Sequence, residues 1–217
     1  MEEISRGYKD QAYQMLAKVG KAVSSPKRLE ILDILMQGAK TVEAVAKAAD
    51  MSIANTSQHL QTLLEARLVV YRKQGLYSFY QLADQTVADF NRSLQSLAEA
   101  RMIEIRSFRE ALYRNRDNME KIEMDELLAR MKRDDVTLID VRPRDEYEAL
   151  HIPGANSIPL VELEKHLALF PPGKEIVAYC RGKYFMLSVE AVELLRTHGF
   201  RATRMEESVQ EWYAQAR

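Results

Sequence analysis

Cysteine occurs once in 217 residues, at position 180, and tryptophan once, at position 212. A single thiol excludes a disulfide framework and leaves no partner for an intramolecular redox bridge. Glycine (8) and proline (6) are sparse, which favours ordered, helix-rich globular structure. No apolar run approaches the roughly 18 residues that span a bilayer, and Met1-Glu-Glu-Ile-Ser5 is not a signal peptide. The four histidines (His59, His151, His166, His198) form neither an i, i+4 pair nor a cluster, so no metal site and no cofactor are expected. These absences make the expected chain cytoplasmic, with no membrane contact.

What is present suits one large or two small domains. Apolar residues make up 47 % and the net charge is −1. The charge is unevenly split: residues 1–117 carry 17 basic and 14 acidic side chains, residues 118–217 carry 14 and 18. This weak asymmetry is compatible with nucleic-acid contact by the first half.

The stretch that organises the second half is Ile176-Val-Ala-Tyr-Cys180-Arg-Gly-Lys-Tyr-Phe-Met186. Ile176–Tyr179 has the length and composition of a buried strand, and 187–198 has a helical pattern stopped by Gly199. A thiol in such a strand-to-helix turn faces the first free N–H groups of the helix and the positive end of its dipole. With Arg181 and Lys183 beside it, that environment favours thiolate and makes an anion site. The chemistry expected is a nucleophilic sulfur at Cys180. Around it the sequence alternates: helix 122–131, strand 137–141, strand 156–159, helix 162–169, strand 176–179, helix 187–198, strand 201–205 and helix 209–214. Such alternation predicts a mainly parallel sheet covered on both faces.

In the first half, residues 5–23 suit a helix with Tyr8, Ala12, Met15, Leu16 and Val19 as its stripe. Ser25-Pro26 reads as an N-cap with proline at the first helical position, opening a helix to Met36 that turns Leu29, Leu32 and Leu35/Met36 inward. A short helix 41–49, a turn at Asp50-Met51, and a helix 53–66 capped by Ser52 follow. The last buries Leu60, Leu63 and Leu64 and displays Asn55, Thr56, Ser57, Gln58 and His59. Two short helices about a tight turn, the second polar at its start, fit a helix-turn-helix. Residues 68–82 alternate about Arg72-Lys73-Gln74-Gly75 as a hairpin with a basic tip, completing a winged helix. Residues 84–116 read as one long helix with Val87, Phe90, Leu94, Leu97, Ile105, Phe108 and Leu112 as its stripe, offering a partner surface. Arg114–Asn118 reads as a linker, giving domains at 1–117 and 118–217.

Two resemblances attach to these residues. Thr137-Leu-Ile-Asp-Val-Arg-Pro143, His151-Ile-Pro-Gly-Ala155 and the Cys180 loop, in that order, resemble a rhodanese, a sulfurtransferase domain, over roughly residues 122–212. Ser57-Gln-His-Leu60 and Leu63-Leu-Glu-Ala-Arg-Leu-Val69, with the helix-turn-helix and hairpin, resemble the ArsR-type repressors. The fold implied is multidomain: a mainly-α winged helix-turn-helix domain followed by an α/β rhodanese-like domain. The ArsR resemblance implies that Ser52, Asn55, Ser57, Gln58 and His59 approach a major groove. Arg72 and Lys73 would meet phosphate or a minor groove, and the first and last helices would form a homodimer on a palindromic operator. The rhodanese resemblance implies that Cys180 takes a sulfane sulfur from thiosulfate, polysulfide or a small persulfide. The anion would be held by Arg181, Gly182, Lys183, Tyr184, Phe185 and Met186, with Asp140 and Arg142 as structural supports. His151 reads as structural.

The chain departs from the resembled patterns at two places. A second loop thiol of ArsR–rhodanese fusions is replaced by Phe185, which excludes a disulfide sensor within the chain. A Gly-Gly expected before Val209 is Glu206-Glu207-Ser208, where lost glycines could alter a turn near the loop. A phosphatase loop would need an arginine where Met186 stands. Three functions follow: a transcriptional regulator sensing sulfane sulfur at Cys180, a sulfurtransferase with a Cys180 persulfide intermediate whose helix-turn-helix part serves dimerisation, and a regulator whose rhodanese-like domain is inactive. Operator binding and sulfur transfer separate them.

Overall fold

The computed structural model describes residues 2–114 and 121–215. Its contacts divide the chain into Met1–Met102 and Ile103–Arg217. The expected linker at Arg114–Asn118 falls, from Asn115 on, outside the described residues.

The first unit runs α1 (Glu2–Val23), α2 (Pro26–Met36), β1 (Lys40–Thr41), α3 (Val42–Ala48), α4 (Ile53–Glu65), β2 (Val69–Gln74), β3 (Tyr77–Leu82) and α5 (Gln85–Arg101). Three side chains satisfy helix starts: Thr41 accepts from the Ala44 N–H, Ser52 from Asn55 and Asp84 from Val87. Ser25 is extended and precedes Pro26 as expected, but its hydroxyl makes no cap. Asp50, at φ 49°, turns the chain between α3 and α4. The core joins Ile31, Leu32, Ile34 and Leu35 of α2 to Val45, Leu60, Leu63, Leu68, Val69 and Val87. The antiparallel sheet has the order β1-β3-β2. Gly75 (φ 62°) and Leu76 form its two-residue hairpin loop, and a positive φ at the first residue alone is the pattern of a type II′ turn.

Most of the α1 stripe is uncovered within the chain: Tyr8, Met15 and Leu16 are exposed, whereas Val19 packs against the core next to the buried Ala22 and Val23. The long helix expected over 84–116 is two helices, α5 and α6 (Ile103–Arg114), parted by Met102 in an extended conformation. No glycine or proline marks the break, but no apolar residue larger than alanine stands between Leu97 and Met102. The stripe therefore lapses where the helix does.

After α6 the second unit continues with β4 (Lys121–Ile122), α7 (Met124–Lys132), β5 (Val136–Asp140), α8 (Arg144–Ala149), β6 (Asn156–Ser157), α9 (Leu163–His166), β7 (Glu175–Tyr179), α10 (Leu187–Thr197), β8 (Ala202–Met205) and α11 (Val209–Gln215). Short 3-10 turns flank α9, so the expected helix 162–169 is α-helical only at its centre. Ile122, expected in a helix, pairs as a strand with Met205. All pairings in the five-stranded sheet, β4-β8-β7-β5-β6, are parallel. Strand alternation sends Ile176, Ala178 and Cys180 to one core with α10, and Val177 and Tyr179 to the other with Leu127 and Trp212. Burial on both faces is why Ile176–Tyr179 reads as a continuous apolar run.

Arg67 ends α4 at φ 59°, with Leu68 N–H returning to the Leu63 carbonyl at 3.0 Å, a Schellman closure made without glycine. Arg67→Gly is expected to raise stability by about 0.5 kcal/mol and Arg67→Val to lower it by about 1 kcal/mol, because β-branched residues tolerate this region worst. Denaturant midpoints of the three proteins read the difference.

Candidate functional site

Cys180 follows the last residue of β7, beside the end of β5, where the Val141 N–H bonds the Tyr179 carbonyl at 3.2 Å. It is 1 % exposed. Its Sγ lies 3.5 Å from the Phe185 carbonyl oxygen, 3.8 Å from that of Gly182 and 3.3 Å from Ser188 Oγ on the first turn of α10. Carbonyl oxygens only accept, so in this geometry the sulfur is placed as an S–H donor. Gly182 takes φ 107° and is buried, and the Phe185 N–H bonds its carbonyl at 3.1 Å, closing the loop. Phe185 and Met186 pack on the α10 core, whereas Tyr184 is exposed beneath Lys183, whose Nζ is 5.6 Å from the ring.

Arg181 is held by a carboxylate. Its guanidinium makes two bonds to the Glu146 carboxylate of α8, at 2.9 and 2.7 Å, and lies 5.1 Å from the Phe185 ring. The Glu146 side chain is fully buried. Asp140 and Arg142 form a second buried, multiply bonded pair, with Nη2–Oδ2 at 2.6 Å. Arg142 also reaches the Leu150 carbonyl at 2.7 Å and the Tyr179 ring at 5.7 Å. Burial pulls the Arg142 pKa down, but the bonds and charge of Asp140, with Glu146 adding, outweigh it and hold the guanidinium charged. Burial, then the Asp140 charge, pushes the Tyr179 phenol far above its usual range, so it stays neutral and accepts from the Ile152 N–H at 3.1 Å. His151 stacks on Tyr147 and its Nδ1 is 2.8 Å from the Tyr147 carbonyl oxygen.

Two contributors were passed over in the sequence. Glu146 sits in α8, six residues too few for a clear helical period. Ser208-Val-Gln-Glu211 is a capping box: the Ser208 N–H donates to Glu211 Oε2 at 2.7 Å and the Glu211 N–H to Ser208 Oγ at 3.2 Å. It backs the loop directly, since a Cβ on Gly182 would stand 3.3 Å from Ser208 Cβ. The missing Gly-Gly leaves no backbone strain there. Among the described residues only Asp50, Arg67 and Asp134 are non-glycines with positive φ, so Glu206–Ser208 need no glycine. The cost lies in Glu207 instead, whose half-buried carboxyl is pushed above its ordinary pKa by burial and whose Oε2 is buried without a hydrogen bond.

On the first unit, α4 presents Ser52, Asn55, Ser57 and Gln58 to solvent, with His59 half-buried. Thr56, expected to be displayed, is buried and its hydroxyl donates to the Ser52 carbonyl at 2.9 Å. Ile53, which a reading by polarity omits, is 54 % exposed on the first turn. Arg72 and Lys73 are exposed on β2 near the hairpin tip. The nucleic-acid candidates thus lie in one unit and the thiol loop in the other. Among the described residues no group of three His, Cys, Asp or Glu could hold a metal ion, and no helix is long and apolar enough to cross a membrane.

An exposed polar helix start with a basic hairpin, and a thiol loop on a parallel sheet, define a winged helix-turn-helix DNA-binding regulator joined to a rhodanese-like α/β domain. Residues 25–71 match the bacterial regulatory protein, arsR family, and residues 123–215 the rhodanese-like domain. The HTH-type transcriptional regulator Rv0324 of Mycobacterium tuberculosis is 38 % identical over 91 % of this chain and 86 % of its own. The chain therefore belongs to the ArsR-family transcriptional regulators and carries a rhodanese-like domain. The arsenical resistance operon repressor of Staphylococcus xylosus is 35 % identical over 33 % of this chain and 68 % of its own. A homodimeric winged helix-turn-helix DNA-binding domain from Mycobacterium bovis is 36 % identical, with a TM-score of 0.42, covering 43 % of this chain and 87 % of that one.

Arg181→Ala strands a buried carboxylate and is expected to cost about 3 kcal/mol, whereas Arg181→Met with Glu146→Leu costs much less. Thermal or denaturant unfolding checks this. For Glu207 the native pKa is raised, so its contribution to stability is fullest below the ordinary value of 4.5 and is lost as pH rises through the native value. Glu207→Gln is accordingly expected to stabilise the protein at neutral pH and to show no gain in acid, read by unfolding at several pH values.

Proposed function

We propose that this regulator binds operator DNA as a homodimer and that sulfane sulfur taken up at Cys180 weakens the binding. The observation that carries the proposal is one thiol, in the loop after the central strand of a rhodanese-like domain, within a chain that also presents an exposed recognition helix. The proposed domains are 1–117 for DNA binding and dimerisation and 118–217 for the sulfur chemistry.

Homodimerisation is supported by α1. A 22-residue helix whose Tyr8 and Leu16 are 76 % and 64 % exposed buries too little of its own surface to stand alone. Phe90 and Leu97 on α5 add exposed apolar surface. A dimer sets two α4 helices against half-sites about 34 Å apart on duplex DNA. Asn55 and Gln58 are suited to adenine edges and Ile53 to a thymine methyl, while Arg72 and Lys73 meet the backbone.

At the thiol, the Cys180 sulfur attacks the outer sulfur of the donor. A bond forms between the two sulfurs, the donor's own S–S bond breaks, and its electron pair leaves on sulfite or on a thiolate. The product, Cys180–S–SH, is one sulfur longer. Cys180 is 1 % exposed with its Sγ 3.5 Å from the Phe185 carbonyl, which supports a rearrangement of residues 181–186 on uptake. A hundredfold loss of operator affinity requires the two states to differ by about 2.7 kcal/mol in their preference for DNA, an ordinary coupling energy.

Polysulfide is expected to weaken operator binding of the native protein by about a hundredfold and to leave Cys180→Ser unaffected. Equal responses from the two proteins sink the sensory role; steady thiosulfate turnover without any change in DNA binding supports the sulfurtransferase. Gln58→Ala is expected to erode discrimination between operator and random DNA, and Arg72→Ala to weaken both alike, as binding titrations at several salt concentrations would measure.

A further inference from the structure

The charges beneath the thiol loop carry one more step, which rests on sulfur uptake at Cys180. A loop that takes thiosulfate has to hold a dianion and release another, sulfite, so it needs donors and positive charge that nothing else has neutralised. Here Arg181 is bonded twice to Glu146, and Arg142 to Asp140, so the cluster of two guanidiniums and two carboxylates sums to zero. The hydrogen-bond partners of the sulfur are two carbonyl oxygens and a hydroxyl. Carbonyl oxygens repel an anion, and the flanking Phe185 and Met186 are apolar. Lys183 lies beside Tyr184 at the exposed rim.

We infer that Cys180 takes its sulfur from an uncharged hydropersulfide, R–S–SH, in preference to thiosulfate, and that Glu146 sets this preference by neutralising Arg181. In the step, the Cys180 sulfur attacks the terminal sulfur of R–S–SH. The S–S bond of the donor breaks, R–S⁻ leaves with the electron pair, and it takes up the proton given up by the Cys180 thiol. The products are Cys180–S–SH and R–SH; atoms and charge balance with no added oxidant or reductant. Glu146 touches neither donor nor thiol and is a positioning residue, acting through the charge of Arg181.

The test follows the mass gain of one sulfur atom on the full-length chain, with ethyl hydropersulfide or thiosulfate at equal concentration. Native protein is expected to react with the hydropersulfide at least about tenfold faster, the factor that 1.4 kcal/mol in a barrier gives. Glu146→Gln frees the Arg181 charge and is expected to narrow the ratio about tenfold by accelerating thiosulfate, with the hydropersulfide rate little changed. Arg181→Met with Glu146→Leu removes both charges, keeps the cluster neutral, and is expected to retain the native ratio. Comparable rates for both donors in the native protein overturn the inference, even if Glu146→Gln does not fold. Equal slowing of both donors by Glu146→Gln overturns the role of Glu146. If neither donor adds sulfur to Cys180, sulfur uptake itself fails and the inference falls with it.

Discussion

Two arginine–carboxylate pairs under the strand ends, Arg142–Asp140 fully buried and Arg181–Glu146 with its carboxylate buried, are the constraint on which the second unit depends. Ions of this kind are tolerable in a dry interior only when geometry and hydrogen bonding are close to complete. That requirement is met by spreading the four groups over three segments: Asp140 and Arg142 around the end of β5, Glu146 on α8 and Arg181 in the thiol loop. Each pair ties a loop to the sheet. The Arg142 bond to the Leu150 carbonyl brings in the segment after α8, and Tyr179 closes the cluster from β7 through its ring and its bond from Ile152. The loop that carries the only thiol is therefore held by electrostatics on one side and by the Ser208–Glu211 turn on the other.

The first unit is built on a different principle. Its core is aliphatic, from α2, α3, α4 and the start of the hairpin, and its helix starts are satisfied by short side chains from the preceding turn. Polar residues at the start of α4 and basic residues on β2 are left to solvent because inward positions are already filled by Thr56, Leu60 and Leu63.

Much of this was legible from the residues. The helix-turn-helix, the hairpin and the parallel sheet follow from period, caps and apolar runs, which are local signals. The partners of the thiol loop were not. Glu146 meets Arg181 across 35 residues, and no pattern within α8 announces it. The break at Met102 was hidden because helical propensity is high on both sides and the chain has no breaker there. The α1 stripe is legible as apolar, but periodicity says only that a face is to be covered and not by what. The absence of a Gly-Gly within 206–208 suggested an altered turn; the backbone there has no positive φ, and the burden falls on a carboxyl side chain.

The solitary, buried state of Cys180 bears on time as well as on chemistry. A sulfur bound there has no neighbouring thiol in the 217 residues to displace it. It leaves only when an outside nucleophile reaches an atom that the closed loop hides, and thiol exchange is governed by access as much as by reactivity. On the reading proposed above, the lifetime of the modified state would shorten as either of two things rises, the supply of reducing thiol around the protein or the frequency with which the Arg181–Glu146 clasp opens. Such a mark would have memory, outlasting the donor that wrote it for as long as the loop stayed shut.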